Sequence, residues 1–397
     1  MADHGQTSVI PDAVAWRVVD LSHNPAGAAA SRVTPLSQRL SETILADGPI
    51  PVSLYMLMCL HDPAHGYYAT RPGIGQDFAT APETSQTFGE MIGLWVAHQW
   101  REMGSPERFQ LVELGPGQGT MMSDMLRASR TVPGFLDAAN IALIEASPAL
   151  RQAQLERLMG HAVTHYVRLE DVPADPAIIV ANEFLDCLPV RQFVKVGTQW
   201  RERRVGLSGE AFTFGLGDAP SGYDDDVVQA TIEPNVTEDQ IEIAPGLETL
   251  TAALFERFRT APGCALFIDY GPANTAPGDT LRAYSAGRQV SPLERPGECD
   301  LTADVDFRRL KRLAERAGMR VFGPVSQGAF LLNLGIGERA RMLAEANTSK
   351  AQAIETAVGK LVNPDEMGDR FKAICLASSD FTSPPGFEQR QTQTHPK

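Results

Sequence analysis

The apolar positions along this 397-residue chain change period several times, and each change predicts a different kind of element. Over residues 36–46 and 52–60 they recur at helical steps, and the turn-rich His61-Asp-Pro-Ala-His-Gly66 closes the second helix. A stronger helical stripe follows in Phe88, Ile92, Trp95, Val96, Gln99, Trp100 and Met103. Ahead of it, Thr80-Ala-Pro-Glu83 has the spacing of a capping box with proline in the first turn, so Thr80 is the expected N-cap. The two tryptophans on that stripe read as core.

From residue 109 onward the texture alternates. Short apolar runs at 109–114, 141–144, 161–167, 178–181 and 265–268 predict five strands, with helices over 120–130 and 147–158 between them. Strands alternating with helices predict an α/β fold with a doubly wound, mostly parallel sheet. Between the fourth and fifth strands the period shortens. Residues 192–196, 199–206 and 211–216 read as antiparallel strands, and 246–259 as a helix. A long loop is expected over 274–300, then a helix at 306–317, a hairpin from 320–322 and 329–332, and helices at 337–347 and 350–361. The expected organisation is a tail (1–34), an N-terminal helical cap (35–105), a catalytic core (106–190 and 260–387) and a β-rich acidic insertion (191–259).

Charge sharpens that division. The formal net charge is −14, which argues against general affinity for nucleic acid or for an anionic membrane. Between Arg204 and Arg257 there is no Lys or Arg, yet eleven carboxylates occur there. A solvated insertion explains the run, and so does a surface that attracts a cationic protein. The five cysteines are scattered and include no C-x-x-C pair, which fits neither a zinc site nor a disulfide framework. No apolar run approaches the roughly 20 residues needed to cross a bilayer, so no membrane insertion is expected. The N-terminal residues lack a secretory pattern and carry Asp3, Asp12 and Asp20, and the expected location is the cytoplasm.

The chemistry concentrates in Glu113-Leu-Gly-Pro-Gly-Gln-Gly-Thr120, between a strand and a helix. Glycines there let backbone approach a ligand, and the helix start presents unpaired N–H groups. A dinucleotide fingerprint needs Gly or Ala at position 120, where this chain has Thr120, and no Walker lysine is present. Gly115, Gly117 and Gly119, with Glu113 two residues ahead, instead have the spacing typical of class I methyltransferases. Glu145 ends the second strand, where a carboxylate accepts hydrogen bonds from a ribose diol. S-adenosylmethionine has a sulfonium and no phosphate, which suits an acidic site without basic residues.

Seven ordered blocks then carry a family resemblance. They are His65-Gly-Tyr-Tyr68; Gln76-Asp-Phe-Ala-Thr-Ala-Pro-Glu-Thr-Ser-Gln-Thr-Phe-Gly-Glu90; the glycine loop from Leu111; Asn182-Glu-Phe-Leu-Asp186; Pro189-Val190; Asp269-Tyr-Gly271; and Pro296-Gly297 with the run Asp300 to Phe307. Over residues 35–387 the chain resembles the MidA-like methyltransferases, a family that includes the mitochondrial complex I assembly arginine methyltransferase. It departs from the family at Gln76, where glycine is usual, and in the loop after Tyr284, which lacks the histidines often found there.

The resemblance implies a class I (Rossmann-like) methyltransferase sheet with an N-terminal helical segment and a β-rich acidic insertion. The implied cofactor is S-adenosylmethionine, held by Asp77, Glu113, Gly115, Gly117, Gly119 and Glu145. Residues 77–86 are expected to fold over the cofactor's amino-acid end, with Glu83 either a helix cap or a ligand contact. The implied acceptor is a protein with an exposed arginine, a respiratory complex I subunit being one candidate. A guanidinium stays protonated in water, with a pKa above about 12, so a carboxylate must localise its charge before a nitrogen can attack. Glu183 and Asp186 are assigned that role, with Asn182 orienting. A small-molecule acceptor and a non-catalytic assembly scaffold are the competing readings.

Overall fold

Strands buried on both faces build the centre of the molecule. The computed structural model describes residues 17–18, 33–70, 80–220, 222–231, 239–274 and 278–388. Seven strands form the main sheet: β1 (Phe109–Leu114), β2 (Ala139–Ile144), β3 (Val163–Tyr166), β4 (Ala177–Asn182), β5 (Gly263–Tyr270), β6 (Arg320–Ser326) and β7 (Phe371–Ala377), in the order β6-β7-β5-β4-β1-β2-β3. All neighbours from β5 to β3 are parallel, whereas β7 runs antiparallel to both β5 and β6. Every residue of β1 and β5 is buried. That is why their sequences read as continuous apolar runs rather than alternations.

One face of the sheet is covered by the helices Gln86–Glu102 and Thr120–Ser129, the other by Gly246–Thr260 and Phe307–Arg316. Trp95 and Trp100 are buried in the first of these layers, as read from sequence, with their ring N–H groups donating to the carbonyls of Pro385 and Pro106. The expected cap at Thr80 does not form. Thr80 precedes only a short helical turn, Ala81–Thr84, without a side-chain hydrogen bond. Ser85 caps the long helix by accepting the Thr87 N–H.

The C-terminal end also differs from the sequence reading. Residues 329–332 are not a hairpin arm but lie in the helix Gln327–Asn333, whose Ser326 cap accepts the Ala329 N–H and whose Phe330 and Leu331 are fully buried. The partner of β6 is β7, a strand that the apolar pattern had not singled out.

A second sheet runs Arg17–Val18, Ala211–Leu216, Gln199–Ser208, Arg191–Val196 and Gln240–Ile243, and Ile50–Pro51 pairs with Gln199–Ser208 off this path. The expected 274–300 loop contains three short paired strands, Arg282–Ser285, Arg288–Val290 and Asp300–Thr302. The N-terminal helices Pro35–Asp47 and Val52–His61 share a core with the second sheet and with the three short strands through Leu36, Tyr55, Val205, Ala283 and Leu301. They are thus built into the body of the protein.

Part of the acidic run is internal. Glu242 is buried and accepts from Thr280, Leu281 and Gln192, while Asp224 pairs with Arg191 and Glu248 with Arg309. Glu242 and Asp224 thus tie the second sheet to its surroundings, and Glu248 joins the helices Gly246–Thr260 and Phe307–Arg316, which a count of charges along the sequence does not show. Among the described residues no helix is long and apolar enough to cross a membrane.

Candidate active site

The glycine loop leaves β1 with three left-handed residues: Gly115 (φ +61°), Gly117 (φ +53°) and Gly119 (φ +78°). The three have different reasons to be glycine. A Cβ on Gly115 would lie 2.9 Å from the Phe184 ring. Gly119 stands at the N-cap of helix Thr120–Ser129. At Gly117 a Cβ would meet nothing within 4 Å among the described residues, and this residue lines a cavity of about 520 Å³. That volume lies in the range of small-molecule sites, and the cavity sits at the carboxyl ends of β1, β2 and β4, where open α/β sheets take their ligands.

Glu113 and Glu145 both border it. Glu113 is buried, and desolvation pushes its pKa up to about 8. Its Oε2 has no partner among the described residues. Glu145, at the end of β2, accepts the Ser147 N–H at 2.7 Å on Oε1 and the Gln154 amide at 3.3 Å on Oε2. Its carbonyl accepts from Arg151 at 2.7 Å. Burial raises the pKa of Glu145 too, against those donors.

The turn after β4 supplies the other wall. Asn182 and Glu183 line the cavity. Glu183 is one of few non-glycine residues at positive φ (+51°), a backbone state that costs about 1 kcal/mol or more. The turn is held by Asp269 at the end of β5: its Oδ2 accepts the N–H groups of Phe184, Leu185 and Asp186 at 3.1, 2.8 and 3.2 Å. Glu183 Oε1 accepts from Ala81 N–H and from the Asn182 amide, each at 3.1 Å. Its pKa is pushed up to about 8, first by burial and then by the charge of Asp186.

Asp186 stands behind this wall. Its Oδ2 accepts from the Tyr270 hydroxyl at 2.8 Å and the Thr302 hydroxyl at 2.7 Å, and it is absent from the cavity lining. Burial raises its pKa.

The N-terminal segment closes the cavity through His61, Tyr68, Thr80, Pro82 and Glu83. Glu83 accepts from the Thr120 hydroxyl at 2.5 Å, so it contacts the helix after the glycine loop instead of capping its own. Asp77 lies outside the described residues. The structure therefore brings Glu113, Gly115, Gly117, Glu145, Asn182 and Glu183 to one cavity, with Gly119 beneath it and Asp186 behind. Sequence reasoning missed Gln154 and Asp269. Asp269 stood in a recognised block without a role, and nothing at position 154 distinguishes it from any polar helical residue.

The lining fits a phosphate-free, cationic nucleoside. Among the described residues no Lys or Arg borders the cavity. Among the described residues Gly117 leaves open space where a side chain would stand, and the oxygens Glu113 Oε2 and Asn182 Oδ1, unpartnered there, offer acceptors. Ile144, Leu150 and Val167 make an apolar floor beside Glu145.

Comparison with known proteins gives the same result. A family model described as "Putative S-adenosyl-L-methionine-dependent methyltransferase" matches residues 91–325. The chain is 35% identical to the mitochondrial protein arginine methyltransferase NDUFAF7 of Bos taurus, over 91% of this chain and 87% of that protein. It is 34% identical to the protein of the same name from Homo sapiens, over 93% and 89%. A crystal structure from Burkholderia thailandensis bound to S-adenosyl-homocysteine superposes with a TM-score of 0.77 at 27% identity, covering 89% of this chain and 94% of that one. The chain belongs to this S-adenosyl-L-methionine-dependent methyltransferase family, and its cofactor is S-adenosylmethionine. The expected cytoplasmic location is corrected by the same relatives, which are mitochondrial proteins; the absence of a secretory pattern had no bearing on that compartment.

Proposed function

We propose that this methyltransferase transfers the methyl group to an arginine side chain of a protein, and that Glu183 is the carboxylate that receives the guanidinium. The observation that carries this reading is the Glu183 side chain: a carboxylate in the cavity wall, on a strained backbone, with no Lys or Arg among the described lining residues to pair with it. The names of the curated relatives, protein arginine methyltransferases, support the same acceptor class. The sequence resemblance makes a respiratory complex I subunit the first protein to test.

In this reading Gly117 gives the cofactor backbone contact, Glu145 takes the ribose hydroxyls, and Glu113 serves its amino-acid end, the end to which the sequence resemblance also assigns Asp77. Bound there, S-adenosylmethionine supplies an electrophilic methyl carbon. Glu183 pairs with one edge of the guanidinium and draws its positive charge toward that edge, leaving the opposite nitrogen free to attack. Alignment of that nitrogen with the methyl group is the main contribution to rate. Asn182 fixes the carboxylate by its 3.1 Å hydrogen bond, and Asp186 adds negative potential from behind without touching the acceptor. The new C–N bond would form as the methyl–sulfur bond breaks and S-adenosylhomocysteine leaves. The guanidinium then gives up a proton from the edge that Glu183 holds, which a carboxylate with a pKa of about 8 is able to take.

The test is labelling of a lysate from cells that lack the protein, using the purified chain and methyl-labelled cofactor. Labelled methylarginine after hydrolysis is the expected product. Label confined to metabolites, or to another amino acid, would overturn the acceptor while leaving the cofactor site standing.

A further inference from the structure

Gln154 lies in the helix Pro148–Arg157, which follows β2, and its side chain is completely buried beneath the glycine loop. A buried primary amide has two N–H donors and one carbonyl acceptor to satisfy. Here all three have partners. The amide nitrogen donates to the Gly117 carbonyl at 2.6 Å and to Glu145 Oε2 at 3.3 Å. The amide oxygen lies 2.8 Å from Nε2 of His165 on β3, which must therefore carry its proton on that nitrogen. The side chain also packs against the loop, since a Cβ added to Gly119 would fall 3.5 Å from Gln154 Cγ.

We infer that Gln154 is a positioning residue that locks the glycine loop and the Glu145 carboxylate to each other, so that the cofactor's ribose is met by a prearranged acceptor. This inference rests on the reading of Glu145 as the ribose carboxylate. The geometry explains why an amide is needed. One side chain must donate both to a backbone carbonyl and to a carboxylate, which a single amide nitrogen does and a carboxylate cannot. With the amide in place, the Glu145 side chain is held on both oxygens, by Ser147 and by Gln154. Without it, one oxygen is free to turn away, and the Gly117 carbonyl loses its partner. The ordering that Gln154 provides in advance would then have to occur on binding.

The test compares S-adenosylhomocysteine with its 2′-deoxy analogue, by calorimetry, on the wild-type protein and on Gln154→Leu and Gln154→Glu. Wild type should prefer the ribose form. Gln154→Leu should bind S-adenosylhomocysteine about 10- to 100-fold more weakly, the scale of a lost hydrogen bond to a charged group. It should bind the deoxy analogue with much less loss, because what fails is the approach to the 2′-hydroxyl. Gln154→Glu should lose at least as much, since it sets a carboxylate against Glu145. At saturating cofactor, kcat should stay within a few fold of wild type, with the loss confined to KM for the cofactor. Equal weakening of both ligands would overturn the inference in favour of a merely structural role, and so would unchanged binding. Should Gln154→Leu fail to fold, the Gln154→Glu arm carries the same comparison. If Glu145→Ala binds both ligands as wild type does, the reading of Glu145 itself fails, a result distinct from failure at Gln154.

Discussion

Glu183 Oε1 accepts the backbone N–H of Ala81 at 3.1 Å, across 102 positions of sequence. Two residues on, Glu83 meets the Thr120 hydroxyl at the head of the helix that follows the glycine loop. The short segment Ala81–Thr84 is thus fastened at one end to the proposed acceptor carboxylate and at the other to the cofactor side. Glu183 is consequently held by backbone and amide donors while remaining exposed to the cavity, a state in which burial sets its proton affinity.

The pH dependence follows from that burial. With a Glu183 pKa of about 8 in the free enzyme, the carboxylate form needed to pair with a guanidinium is the minor one at pH 7. Profiles of kcat/KM report the free enzyme's groups. The value should rise about tenfold per unit below pH 8 and level off above it, as initial rates across pH 6–10 will show. A flat profile would remove Glu183 from the pairing role.

Gly117→Val should abolish cofactor binding while the fold survives. Its Cβ has no neighbour within 4 Å among the described residues, and the added methyl groups enter the cavity. The φ of +53° adds strain of about 1–2 kcal/mol for a branched residue. Calorimetry with S-adenosylhomocysteine should show no heat, beside a Tm only a few degrees below wild type. Binding at wild-type affinity would place the cofactor elsewhere.

Glu113 should make the ligand-free protein less stable as pH rises. Its folded pKa of about 8 lies above the unfolded value, so between roughly pH 4.5 and 8 the native state holds a proton that the unfolded state has released. The stabilisation from the neutral buried acid is complete below that window and is lost as pH passes through about 8. Glu113→Gln has no proton to lose. Melting curves from pH 5 to pH 9 should show the wild type falling relative to this variant, and parallel curves would refute the assignment.

Asp269→Ala should be among the most destabilising single changes in the sheet. It leaves three N–H groups of the turn after β4 without their acceptor, at about 1–3 kcal/mol for each that stays buried and unpaired. Asp269→Asn keeps a carbonyl acceptor and should lose distinctly less. Urea titrations of the two variants give the comparison, and equal stabilities would show that the turn holds without this contact.

The central strands were legible because burial on two faces leaves an apolar run that nothing interrupts, as in Phe109–Leu114 and Gly263–Tyr270. The edge was harder. In Arg320–Ser326 every residue after the first is only partly buried, and Gly323-Pro324 breaks the pattern. Phe330 and Leu331 form an apolar run too short to declare its period, and the helix won because both could reach the core from one face. In the site, the glycines and Glu145 were visible since their spacing relates them to one strand end each. Gln154 and Asp269 were not. Their partners, Gly117 and Leu185, are set by how a helix and a strand pack, and that relation is absent from the local sequence.

The proposed chemistry turns on Glu183 receiving an arginine. The most direct measurement pairs methylarginine formation with cofactor affinity in Glu183→Gln, an isosteric change that keeps an acceptor for the Ala81 N–H but removes the charge. S-adenosylhomocysteine affinity should stay within a few fold of wild type, with no detectable methylarginine in the labelled knockout lysate. Methylarginine at the wild-type rate from this variant would contradict it.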